Sequence, residues 1–401
     1  MFNLTESDAD QVQIQKNSEY LFLSPEEQVN FHFMMHARHK LKSPDFMAEY
    51  ESDLLAKKLA ELKRRCPDVD SIDKQKTFIR LKKVDLSKAT PAEFQAMLDD
   101  PGNPPIIADG FIKESVAVKT WSHDFLMQQY GDVEIVAWEY GTATTPSTVV
   151  FEKLKIRDIL RSQLDEQTER SYYINNSAEL FAFYPHLADD MGSDRIADIF
   201  KGHSINSFNQ LFVGSLKTWG TDWHLGNATS CAIMIGGVKR WFFLDPRLTY
   251  VLRPFFNGSN GMGTQSQIRK TLDQYMVENP LYAYIPKYYV DVEPGDVVFF
   301  NKFWPHAVIN ISPLQIMSNM RMTEVDLETM ERGQAARMLL PVYDNILNSD
   351  PEYIKFKFDI FKNLGVKNKT IADSNYFGAY WKSFRQSSDL EDEAEKQDVA
   401  E

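Results

Sequence analysis

The chain has 401 residues, 43% of them hydrophobic, enough to bury one sizeable core and a smaller companion. Its 57 acidic residues outnumber the 44 basic ones, and the net charge of −13 disfavours a general nucleic-acid-binding surface, although a local basic groove is compatible with it. Two cysteines, Cys66 and Cys231, do not make a disulfide framework and fit a reducing compartment.

Residues 1–18 are polar and read as a frayed end. They carry no apolar signal-peptide core, and no run in the chain approaches bilayer length, so the expectation is a cytoplasmic or nuclear protein without a membrane partner. Residues 24–65 read as helical. Ser24-Pro25-Glu26-Glu27 is a start signal, with a capping serine, proline at the first helical position and acids in the first turn. From Phe46 to Arg65 apolar residues recur at helical spacing until Pro67 ends the run. His32, His36 and His39 share one helical face, which is either a metal site or a histidine-rich surface with no carboxylate or cysteine beside it in sequence. Thr90-Pro91-Ala92-Glu93 is a capping box that opens a helix running to about Leu98. The linker Asp100–Pro105 marks a domain boundary.

From Ile106 to about Asn310 the pattern is short strands with helical insertions. Apolar runs at Leu211–Val213, Cys231–Ile235 and Trp241–Leu244 alternate with Gly, Ser and Thr, as in antiparallel strands joined by turns. The first two flank a polar segment with one histidine, His224. Further on, the turn Pro294-Gly295-Asp296 leads into a strand and then into Trp304-Pro305-His306. Beyond Ser312 helices are predicted at Glu324–Arg337, Pro351–Phe361 and Asn375–Phe384. The aromatics there suit core or dimer contacts, and the tail is acidic.

The segments around the two histidines resemble the double-stranded β-helix of JmjC/cupin-like oxygenases, which use Fe(II), 2-oxoglutarate and O2. The family pattern T-x-x-H-x-D followed by G-x-K-R is matched by Thr221, His224 and Gly237-Val238-Lys239-Arg240. The family's second histidine context is matched at His306. Asn103–Gly110, Trp121–Val133 and Tyr172–Met191 resemble the family's entry segments. The resemblance covers roughly residues 103–320 and implies a mainly β core with helices (α+β). The expected architecture is a jelly roll with N-terminal and C-terminal helical additions. The expected regions are a helical one at 1–100, the cupin-like domain at 101–320, a C-terminal helical one at 321–388 with a possible homodimer contact, and the acidic tail at 389–401.

The resemblance also implies roles. His224 and His306 are candidate metal ligands. Lys239, fifteen residues after His224, and Thr221, three before it, are candidates for holding the distal carboxylate of 2-oxoglutarate. Ser230 stands where the family often has asparagine. Asn310 and Asp222 are candidates for support around the site. The departure is Gly226, two residues after His224, where the family's metal-binding carboxylate belongs. Three readings follow. A chloride or bromide fills the position, as in iron/2-oxoglutarate halogenases with an H-x-G or H-x-A motif. Another residue or water completes the site, Asp222 sharing a strand face with His224 and Asn227 facing away if the strand is regular, and the enzyme hydroxylates. Or the site is degenerate and the protein is a binding module. The expected substrate is a small molecule, with a cationic or zwitterionic one suiting the acidic balance and nucleic acid disfavoured.

Overall fold

The computed structural model describes residues 9–324, except 42–44, 101–103, 141–149, 168–169, 201–204, 227–228, 257–260, 267 and 269. Its strands are β1 (Phe78–Arg80), β2 (Lys83–Val84), β3 (Ile106–Ala108), β4 (Glu134–Tyr140), β5 (Val150–Lys155), β6 (Ser171–Ser177), β7 (Ile205–Ser215) and β8 (Gly220–Gly226). They continue with β9 (Thr229–Gly236), β10 (Lys239–Phe243), β11 (Pro254–Phe256), β12 (Gly261–Thr264), β13 (Lys287–Val292), β14 (Val297–Phe300), β15 (His306–Asn310) and β16 (Leu314–Glu324). One sheet of seven strands has the order β1-β13-β10-β15-β8-β12-β11; the other, of nine, runs β2-β3-β14-β9-β16-β7-β6-β4-β5. The two face each other across a shared core, the jelly-roll arrangement.

The period-two alternation of each strand decides what enters that core. On β10, Trp241 and Phe243 point inward with Val290 and Val308, and meet Ala232, Met234, Val298, Phe300 and Met317 from the opposite sheet. Cys231, Ile233, Ile235, Val297 and Phe299 point the other way, into a second core under the helices of residues 91–200. Trp223, Leu225, Phe242 and Ala307 point outward from the seven-stranded sheet into a third, covered by the N-terminal helices. The turn before β14 is built as its sequence suggests. Gly295 has φ 96° and packs where a Cβ would come within 2.8 Å of Lys113. The buried Asp296 accepts bonds from the main-chain N–H groups of Gly110 and Glu293, each at 2.8 Å.

The N-terminal region contains α1 (Ala9–Ser18), α2 (Pro25–Leu41), α3 (Ala48–Arg65) and α4 (Pro91–Asp99). Ser24 and Glu27 exchange bonds at the start of α2, and Thr90 and Glu93 form the capping box of α4. The region is not only helical, however. β1 pairs in parallel with β13, and β2 with β3, so residues 78–84 extend both sheets. The barrel also runs past residue 320, because β16 continues to Glu324 in a long pairing with β7. The helices, dimer contact and acidic tail expected beyond it lie outside the described residues.

A buried ion cluster fastens α2 and α3 to the barrel. Glu51 accepts two bonds from Arg38, at 3.1 and 3.3 Å, and one from Arg253 at 3.1 Å. Removing one member of such a cluster strands the others in a water-poor setting. Glu51→Ala should therefore cost about 3–5 kcal/mol in urea denaturation; a loss below 1 kcal/mol would show that the cluster is not what holds the helices.

Candidate functional site

His224 and His306 form one rung of the sheet, opposite one another on the paired strands β8 and β15. Their ring centroids are 4.1 Å apart. His224 Nδ1 donates to the Asp222 carbonyl at 2.9 Å, and His306 Nδ1 to the Trp304 carbonyl at 2.8 Å. A carbonyl only accepts, so each Nδ1 carries the proton and each Nε2 keeps its lone pair, the tautomer a metal ligand needs. Burial is the main force on both rings. It holds His224 down to about 4, with the charge of Arg321 adding to it. His306 is held well below the usual histidine range by burial, by His224 and by Arg321. Both rings are thus neutral at pH 7. Phe300, Trp241 and Phe243 wall His306, with the Phe300 centroid 4.7 Å from the imidazole.

The pairing of β8 with β15 slips between the His306 rung and Val308, which faces Thr221 rather than Asp222. This bulge explains the three-residue spacing: it returns Thr221 to the inward side, opposite the inward Val308, although a regular strand would turn it out. The same bulge overturns the strand-face expectation for Asp222. Its charge acts on Tyr275, which belongs to the outer cluster beneath the N-terminal helices. Among the described residues no group of three His, Cys, Asp or Glu side chains converges as a metal site. Asp222 contributes its main-chain carbonyl, which aims His224.

What stands opposite Gly226 is a cation. A Cβ built there would lie 3.0 Å from Nη1 of Arg321 on β16. Arg321 Nη1 donates to Ser230 Oγ at 2.8 Å and Nε donates to Gln210 Oε1 at 3.1 Å. Its guanidinium lies beside Gly226 inside the barrel, and the residue is partly exposed. Burial brings it down to about 10, so it is charged at neutral pH. Ser230 thus has a defined partner, and the Gly226 carbonyl is itself held by the Phe303 N–H at 2.8 Å.

Lys239, opposite Asn310 in the β10–β15 register, is fully buried. Its Nζ donates to Asn310 Oδ1 at 2.9 Å and to Tyr173 OH at 3.1 Å. Asn310 Nδ2 donates in turn to the Ser215 carbonyl and to Thr218 Oγ1, which fixes the amide so that its oxygen faces the lysine. An ammonium this deep with only neutral acceptors among the described residues is costly, and burial holds it down to about 7.

Arg321, Gln210, Tyr173 and Thr218 were not singled out by sequence reasoning. The alternation Met317, Asn319, Arg321 continues β16 on its inward face, and carrying that period on would have placed a guanidinium in the barrel. His32, His36 and His39 fall on α2, but their side chains, and Asn227, lie outside the described residues. No described helix is long and apolar enough to cross a membrane.

A family profile described as a cupin-like domain matches residues 91–321. A curated relative, the "Lysine-specific demethylase JMJ21" of Arabidopsis thaliana, is 24% identical over 224 residues, covering 52% of this chain and 22% of its own length. The chain thus spans about a fifth of that relative. With opposed sheets, paired inward histidines and more than half its length matched, the chain belongs to the cupin-like domain family.

Proposed function

We propose that the protein is an Fe(II)/2-oxoglutarate-dependent oxidative enzyme in which a halide takes the position that Gly226 leaves free, so that an aliphatic C–H of a small molecule is halogenated. Two neutral imidazoles with free Nε2 atoms suit Fe(II), and the absent carboxylate suits it on one condition, that an anion from solution takes its place. The single observation that carries the reading is the Arg321 guanidinium beside Gly226, which favours negative charge there. Fe(II) with 2-oxoglutarate supplies oxygen activation: the co-substrate is oxidised to succinate and carbon dioxide, O2 gives one atom to succinate and one to water, and substrate C–H plus halide become C–halogen with uptake of a proton.

The chain's own residues supply the setting. Lys239, fixed by Asn310 and Tyr173, takes the far carboxylate of the dianion, and inward-facing Thr221 lies one rung from the histidines. The aromatic wall of Trp241, Phe243 and Phe300 keeps water from the His306 side. A second reading, oxygen insertion without halide, draws support from the relative named as a demethylase.

Anaerobic titration with Fe(II) and 2-oxoglutarate tests both. A visible charge-transfer band that shifts with chloride is expected, followed by halogenated product in a substrate screen. In Gly226→Asp the shift and the halogenation should disappear. A band indifferent to chloride would favour oxygen insertion, and no band would leave a binding module.

A further inference from the structure

Arg321 has five N–H donors, and its bonds to Ser230 and Gln210 use only part of them. Among the described residues no carboxylate pairs with it, and its Nη1 lies 3.0 Å from where a Cβ at Gly226 would stand, two residues from His224. A divalent cation bound by the two imidazoles would meet the positive field of this guanidinium. An inward-facing guanidinium with spare donors, set where glycine provides space, is the arrangement that holds a small monoanion.

We propose that Arg321, with Ser230 and Gln210 fixing its plane, is an anion receptor that fills before and without the metal, and that the anion then permits the metal to bind. The proposal rests on the reading of His224 and His306 as metal ligands for its second half only. Anion and metal affinities are then linked, each raising the other by the same factor. The site accepts either a halide or a single carboxylate group, since both present one negative charge to the guanidinium. Gln210 and Ser230 are positioning residues, and Arg321 is the one that touches the anion.

The test uses the full chain stripped of metal with a chelator. Chloride is added and its ³⁵Cl NMR linewidth followed, with bromide, formate and 2-oxoglutarate as competitors. The parent should show saturable broadening that bromide reverses. Reversal by formate or 2-oxoglutarate as well assigns the site to carboxylates too; reversal by bromide alone assigns it to halide. Arg321→Gln should abolish the saturable component, and Arg321→Lys should retain it. A melting curve establishes that each variant is folded, and the lysine variant keeps the test decisive if the glutamine variant is not. Co(II) affinity is then measured spectroscopically with and without chloride. It should rise at least tenfold with chloride in the parent and be chloride-independent in Arg321→Gln. Unsaturable broadening in the parent, equal broadening in Arg321→Gln, or a chloride-independent Co(II) affinity in the parent would overturn the proposal. The NMR arm contains no metal and no turnover, so it can succeed while halogenation fails, and halogenation can occur while it fails.

Discussion

Lys239→Met should be more stable than the parent at neutral pH and should lose its grip on a dicarboxylate. Lys239 is fully buried, and among the described residues its Nζ bonds to the hydroxyl of Tyr173 and the amide oxygen of Asn310. Burial lowers it from 10.5 to about 7. Between those two values the unfolded chain binds a proton that the folded chain rejects. Stability conferred by the neutral amine is thus present above pH 10.5, falls by about 1.4 kcal/mol per pH unit as pH drops, and is spent by pH 7, roughly 4–5 kcal/mol in all. Methionine is of similar length and does not titrate. The stability difference between variant and parent should therefore grow by roughly 3–5 kcal/mol as pH falls from 10 to 7. Lys287, also buried and held well below its usual range, titrates in both proteins and cancels in the comparison. Denaturant melts at four pH values read the difference, and parallel profiles would remove Lys239 from the account. Calorimetry with 2-oxoglutarate should show at least a hundredfold loss of affinity in the variant. In the parent, binding near pH 8 should take up a proton, because a carboxylate beside the amine restores its charge.

Gly226→Asp, the substitution that looks as if it should rebuild a two-histidine-one-carboxylate centre, should fail to do so alone. Gly226 lies at negative or extended φ and its Cβ direction is open except for Arg321 Nη1 at 3.0 Å. A new carboxylate would meet the guanidinium first. Breaking a buried pair of this kind costs about 3–5 kcal/mol, and a metal must break or share it to recruit the oxygen. Fe(II) affinity in Gly226→Asp should accordingly improve less than tenfold over the parent in low chloride. In Gly226→Asp with Arg321→Asn the oxygen is free, and affinity should exceed that of the single variant by about two orders of magnitude, roughly 3 kcal/mol of coupling. The single variant should also melt higher than the parent, since it gives Arg321 a partner. A single variant that binds iron as tightly as the double one would show that Arg321 does not control the position.

The barrel and its two histidines were legible through the resemblance to JmjC/cupin-like oxygenases, which also implied the roles of Thr221 and Lys239. Local patterns agreed with it: alternating apolar runs gave the strands and Pro294-Gly295-Asp296 gave the turn. Gly226 was legible as a missing group. What replaced it was not, since Arg321 comes from a strand that pairs with β7 and β9 and no spacing rule links it to His224. Asp222 was misplaced for a related reason. Its orientation follows a bulge set by the partner strand, and the sequence of β8 alone looks regular. Tyr173 and Thr218 meet Lys239 and Asn310 through the folding together of β6, β7 and β10, which local periodicity does not report.

The place of β16 in its sheet has a consequence for the order of events during synthesis. This strand, the last of those described, lies between β7 and β9, two strands completed well before it, at Ser215 and Gly236. Until it leaves the ribosome those two have bare inward edges, rows of unpaired N–H and C=O groups that invite association with other chains. The nascent polypeptide must hold apart two half-sheets for many seconds at ordinary rates of translation, and the final insertion closes both edges in one stroke. Assembly of the barrel is therefore gated by its last strand, and chains interrupted before it are the ones to expect in aggregates.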